Sequence, residues 1–260
     1  MARDMAAWCT DRANCYRFLA RLHYEELTVD LMEEIARRGA PETTTDDSDG
    51  ERDFAQGLRK MTLFCERTDD DALTQSRCDF AYVLLGAGQP HDEPVAPYES
   101  VYAAEGRLVM QAPRDEMCAA LASEHLAVVD GYRMPEDHLT FQFQYEALLL
   151  DGVACALDSL AAAAPSAEAV AVAEQVLAAQ KKARAFYENH LANWVPQFCR
   201  EAQALARTAF YRGLALATGA WMTLEGESFD AAATLLADEL ADGLREGAAE
   251  TASRCAGEAA

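Results

Sequence analysis

The chain has 260 residues, with 22 lysines and arginines against 44 aspartates and glutamates, a formal net charge of −22, and 51% hydrophobic residues. That apolar content is ample for a core, so disorder is excluded despite the charge, and the length allows one large domain or two lobes. The acidic balance excludes a nucleic-acid binder, which needs clustered Lys and Arg, and docking on an anionic membrane surface; it suits a basic partner or plain solubility.

Eight cysteines, at 9, 15, 65, 78, 118, 155, 199 and 255, form no C-x-x-C pair, so zinc and thioredoxin-like spacings are absent. The stretch Met1 to Trp8 contains Asp4 and no long apolar run, unlike a secretory signal. No segment reaches about 18 uninterrupted apolar residues, so no membrane insertion is expected. A cytoplasmic setting with reduced, buried thiols follows.

In chain order, Asp4 to Leu22 reads as an amphipathic helix, with Trp8, Cys15, Phe18, Leu19 and Leu22 at helical spacing. A helix over Val29–Arg38 ends at Gly39 and Pro41. Residues 41–53 have no apolar period and read as a solvated loop. Helices follow at about Phe54–Cys65 and Asp71–Leu85, the latter stopped by Gly86 and Gly88. Pro90, Pro94 and Pro97 hold the next stretch open. Further helices are predicted over about Arg114–Val129, Glu136–Ala163, Ala167–Tyr187, Trp194–Leu224 and Phe229–Glu246, with a frayed Ala/Gly tail at 251–260. No sustained period-two alternation predicts a strand. The fold class is all-α, a helical bundle of about nine or ten helices.

Three segments could carry chemistry. In Met134-Pro135-Glu136-Asp137-His138, the bland reading is a helix start whose acids complement the positive end of the dipole. The functional reading puts a carboxylate and an imidazole at an exposed helix end, to meet a cation and to donate or switch. In Pro97-Tyr98-Glu99-Ser100-Val101-Tyr102, the two tyrosines share a face, as core edges or as the lining of a peptide groove. In Trp194-Val195-Pro196-Gln197-Phe198, the aromatics read as core. The histidines at 23, 91, 125, 138 and 190 form no metal-binding pattern, and no nucleophile elbow or phosphate loop is present. No catalytic residue, metal or cofactor is expected.

These segments, in this order, resemble the TorD/DmsD family of cytoplasmic chaperones for molybdenum-containing oxidoreductases. The resemblance is carried by Arg12 to Leu27, Asp79-Phe80 to Gly86, Pro97 to Tyr102, Pro135 to His138, His190-Leu191 and Trp194 to Arg212. Two positions depart from the family pattern: Met134 replaces a frequent glutamate, and so does Gln142. The resemblance implies two lobes, about 1–132 and 133–250, joined by a hinge loop near 130–136, as a monomer or domain-swapped dimer. It implies binding of the twin-arginine signal peptide, and of the mature part, of a DMSO/TMAO-reductase-like molybdoenzyme while its cofactor is inserted. A cationic signal needs carboxylates that guanidinium groups meet bidentately. Asp137 is the first candidate and Asp79 the second; Leu85, Tyr98 and Tyr102 would line an apolar trough, and Ser100, Pro135 and His138 would orient the peptide. From His91 to Asp137 ten acids face three arginines, a net of −7 around both motifs. Two other readings remain: a nucleotide-binding or hydrolysing protein using Asp137 and His138 as acid and base, and an acidic interaction module with an unrelated partner.

Overall fold

The computed structural model describes residues 2–67, 69–90, 94–103, 106–129, 134–163 and 167–257, with the backbone alone for 167–168 and 236–257. The described residues contain α1 (Ala2–Tyr24), α2 (Val29–Arg38), α3 (Asp49–Cys65), α4 (Asp70–Val83), α5 (Glu99–Ala103), α6 (Ala112–Ser123), α7 (Leu139–Ala162), α8 (Ala167–Phe186), a π-helical turn (Tyr187–Leu191), α9 (Val195–Leu205) and α10 (Ala209–Gly257). Among the described residues there is no strand, and the expected all-α class holds. Residues 130–133 of the expected hinge and 258–260 of the expected tail lie outside the described residues.

Local chemistry explains several boundaries. The Thr28 hydroxyl accepts from the Leu31 amide at 3.2 Å and starts α2. Gly39 ends that helix at φ 69°, a left-handed conformation that glycine adopts without Cβ strain. The expected loop over 41–53 is too long: α3 begins at Asp49. A capping box accounts for this, with Glu51 N donating to Ser48 Oγ (3.2 Å) and Ser48 N to Glu51 Oε2 (2.7 Å). Asp69 caps α4 through the Ala72 amide at 2.8 Å.

The single helix expected over Trp194–Leu224 is two. It breaks at Ala206–Thr208, and the second piece continues through the helix expected at Phe229–Glu246 to become α10. The break is made by Asp79, a distant residue of α4. Its carboxylate accepts from Arg207 N (3.0 and 3.1 Å), Thr208 N (2.8 Å) and Thr208 Oγ1 (2.7 Å), satisfying amides at the start of α10.

Helix α1 lies along α7, and α3 along α10; α8 packs on α7 and α9 on α10. Tyr16 of α1 meets Phe143 of α7 edge to face at 5.1 Å, a geometry contributing about 0.5–1.5 kcal/mol beyond area burial. Arg12 of α1 forks onto Glu225 of α10 (2.7 and 2.9 Å) inside the core, its guanidinium between the rings of Trp8 and Phe229. The α3–α10 crossing is so close that a Cβ on Gly57 would lie 2.6 Å from Ala217 N and 2.7 Å from Gly213 O. Gly57→Ala is therefore expected to lower stability by at least about 1–3 kcal/mol, read as a lower urea midpoint at constant slope. Gly152, in α7, faces open space; Gly152→Ala is expected to raise the midpoint instead, by about 0.5–1 kcal/mol.

Candidate functional site

The two motif segments meet. Residues 97–99 and 137–139 meet at a single antiparallel bridge between Tyr98 and His138: Leu139 N donates to Pro97 O (2.9 Å) and Glu99 N to Asp137 O (3.2 Å). Proline at 97 and 135 keeps each segment extended or turned rather than helical. Helix α7 accordingly starts one turn later than expected, at Leu139, so Pro135, Glu136 and Asp137 precede it. Asp137 caps a different helix: its Oδ2 accepts from Ser100 N, in the first turn of α5, at 2.9 Å. Its Oδ1 is buried with no partner among the described residues.

His138 is the N-cap of α7. Its Nδ1 accepts from Thr140 N at 3.1 Å, and the Tyr98 ring packs edge-on against the imidazole at 4.9 Å. Burial, with nearby His23 adding, pulls its pKa down to about 3, so the ring is a neutral acceptor. Ser100 passes the connection on: its Oγ accepts from Gln111 N (3.0 Å), the residue that begins α6.

Behind this knot lies a second polar layer. Glu99 Oε2 accepts from Gln142 Nε2 and from His190 Nδ1 (3.1 Å). Gln142 Oε1 accepts from Trp194 Nε1 at 3.2 Å, and Trp194 stacks on Tyr102 at 5.4 Å. Burial lowers the His190 pKa, but the hydrogen bond and charge of Glu99 outweigh it and leave it raised. The glutamine at 142 thus has a physical reason: a glutamate there would face Glu99 without a donor.

The structure brings together Tyr98, Ser100, Pro135, Asp137 and His138, with Tyr102 one turn along α5. Asp79 belongs elsewhere, capping α10, and Leu85 stands 59% exposed after α4. Ser100 and Asp137 are 0% exposed, and Asp79 and His138 are 2% exposed. The expected exposed helix end carrying a free carboxylate and imidazole is therefore corrected: both side chains are engaged inside the fold, because each caps a helix. The acid–base reading on a nucleotide loses its two residues for the same reason. Sequence reasoning passed over Glu99, Gln142 and His190 as a network, since their contacts are non-local. It also passed over residues 108–110, an apolar cluster without period. Among the described residues no group of His, Cys, Asp and Glu could hold a metal ion, and no helix is long and apolar enough to cross a membrane.

Residues 47–200 match the family described as nitrate reductase delta subunit. The chain is also similar to a chaperone protein TorD of Vibrio cholerae serotype O1 (strain M66-2), 28% identical over 224 residues, 84% of this chain and 92% of that protein. A chaperone protein TorD of Psychrobacter sp. (strain PRwf-1) is 25% identical over 195 residues, 75% of this chain and 80% of that protein. A third, from Photobacterium profundum, is 23% identical over 145 residues, 56% and 59% of the two chains.

The buried histidines make stability pH-dependent. Burial pulls His23 to about 4 and His138 to about 3, below the ordinary 6.5. Their contribution is complete above pH 6.5 and is lost as pH falls toward those values, because only the unfolded chain takes up the protons. His138→Asn keeps a capping acceptor and removes one such group. Its unfolding free energy, measured by urea titration, is expected to fall less steeply with acidification than that of the unaltered chain, by about 1 kcal/mol per pH unit just below the ordinary histidine value. An unchanged slope would mean that His138 takes up its proton in the folded chain as readily as in the unfolded one.

Proposed function

Because this chain belongs to the TorD/DmsD family of chaperones, and is not an enzyme, we propose that it assists maturation of a molybdenum-cofactor oxidoreductase by binding that partner's twin-arginine signal peptide in the cytoplasm until the cofactor is in place. The observation that carries this reading is the alignment with a named chaperone across 84% of the chain, both motif segments included.

In this reading the eight motif residues divide by burial. Ser100, Asp137 and His138 shape the surface from within, while Asp79 holds the start of α10. Leu85, Pro135 and the half-buried Tyr98 and Tyr102 offer contact. The carboxylates that meet guanidinium groups are neighbours nearer the surface. Glu136, bonded to Arg114 (2.7 and 3.3 Å) with a side chain 25% exposed, is first; Asp115, 82% exposed, is second. An incoming arginine exchanges for Arg114 at little net loss, since such half-exposed pairs contribute about 0–1 kcal/mol. The chain acts as a monomer or as a lobe-exchanged dimer in which the α1–α7 and α3–α10 faces form between protomers.

Calorimetry with a synthetic twin-arginine signal peptide tests this. Binding is expected to weaken about tenfold when both arginines become lysine, which cannot fork onto a carboxylate. Glu136→Gln is expected to weaken binding in the same direction. Association is expected to slow as salt rises. Equal affinity for the arginine and lysine peptides would overturn the recognition step, and no binding at all would overturn the reading.

A further inference from the structure

The connection between α5 and α6 turns three successive large apolar side chains to water: Leu108 is 60% exposed, Val109 44% and Met110 55%. Single exposed apolar residues are ordinary on a protein surface, but contiguous ones mark contact sites. The backbone here is strained as well. Arg107 (φ 49°) and Met110 (φ 63°) both occupy the left-handed region, at about 1–2 kcal/mol each for residues with a Cβ.

The fold holds the loop in this state. The Arg107 guanidinium forks onto Glu201 (2.7 and 2.6 Å), donates to Pro94 O (3.2 Å) and lies over the Tyr102 ring at 5.2 Å. At the other end, Gln111 N is tied to Ser100 Oγ, whose own amide is tied to Asp137. Strain and exposure are both held by anchors at the two ends, and none of the three apolar side chains is among the anchors.

We propose that Leu108, Val109 and Met110 form the lip on which the apolar stretch of the client's signal peptide docks. The inference rests on the reading given under Proposed function and deepens it. The charges beside the lip select the occupant. Arg107 is matched by Glu201, while Asp115 and Glu116, just past the loop in α6, are exposed. An apolar patch bordered by acids complements an apolar segment joined to cations. The same face of a second copy would bring acids, not cations, to that border. The buried motif then serves to position the lip. Asp137 sets Ser100, Ser100 sets Gln111, and Gln111 closes the loop.

The test uses the full chain and two synthetic peptides. Each carries two consecutive arginines; one continues in leucine and alanine, the other in serine and glycine. The variant Leu108→Ser/Met110→Ser alters only exposed side chains, and its unfolding midpoint checks that the fold is kept. It is expected to bind the leucine–alanine peptide about tenfold more weakly than the unaltered chain, while the two proteins bind the serine–glycine peptide alike. A photo-crosslinker replacing Val109 provides a second measurement that does not depend on removing apolar surface. It is expected to capture the leucine–alanine run; capture of the arginine end overturns the proposal. Equal binding of the leucine–alanine peptide by variant and unaltered chain also overturns it, with the signal-peptide reading intact. Failure of the unaltered chain to bind either peptide removes that reading, and this inference with it.

Discussion

The carboxylate of Asp137 is the constraint on which the site depends. It sits at 0% exposure between two extended segments and accepts from the amide of Ser100. A buried polar group without partners costs several kcal/mol, so Asp137 is tolerable only where an amide is waiting. The backbone bonds between Pro97 and Leu139 and between Glu99 and Asp137 hold that amide in place. The starts of α5, α6 and α7 follow from this one junction, and so does the direction in which Glu99 points, toward Gln142 and His190. Interiors are close-packed, and a junction shared by three helices transmits a local change to all of them.

The helices were largely legible because their apolar residues recur at helical spacing, as in α1, α2 and α7. Their ends were less so. The box at Ser48 and Glu51 is written in the sequence and could have moved the start of α3 earlier. The break before α10 could not have been read locally, because its cause, Asp79, lies 128 residues from Arg207. The segment around Asp137 was legible as a motif, but not in its geometry. A carboxylate beside a helix start has the same pattern whether it caps its own helix or another one. Its burial is a property of the pairing with residues 97–99, which no periodicity reports. Residues 108–110 were illegible for the opposite reason: exposed apolar side chains look like core until the fold leaves them outside.

Charge gained meaning in the same way. With twice as many acids as bases, arginines are readily matched: Arg12 by Glu225 in the core, Arg107 by Glu201, Arg114 by Glu136, Arg17 by Asp151. The surplus remains on the surface, where it attracts cations over about a Debye length. The sequence resemblance placed the receiving charge on Asp79 and Asp137. Burial reassigns them to architecture; in the reading proposed above, the receiving role falls to Glu136 and Asp115, which lie nearer the surface around the same segments.

In the proposed reading Asp137 acts through the loop it positions, not by touching a ligand. Amide hydrogen exchange of Ser100 and Gln111, compared between the unaltered chain and Asp137→Asn in the absence of peptide, tests it most directly. Faster exchange is expected at both amides in the variant, with α1 and α7 protected as before. Faster exchange at Ser100 alone, with Gln111 unchanged, would contradict it, because the loop would then be held independently of the buried carboxylate.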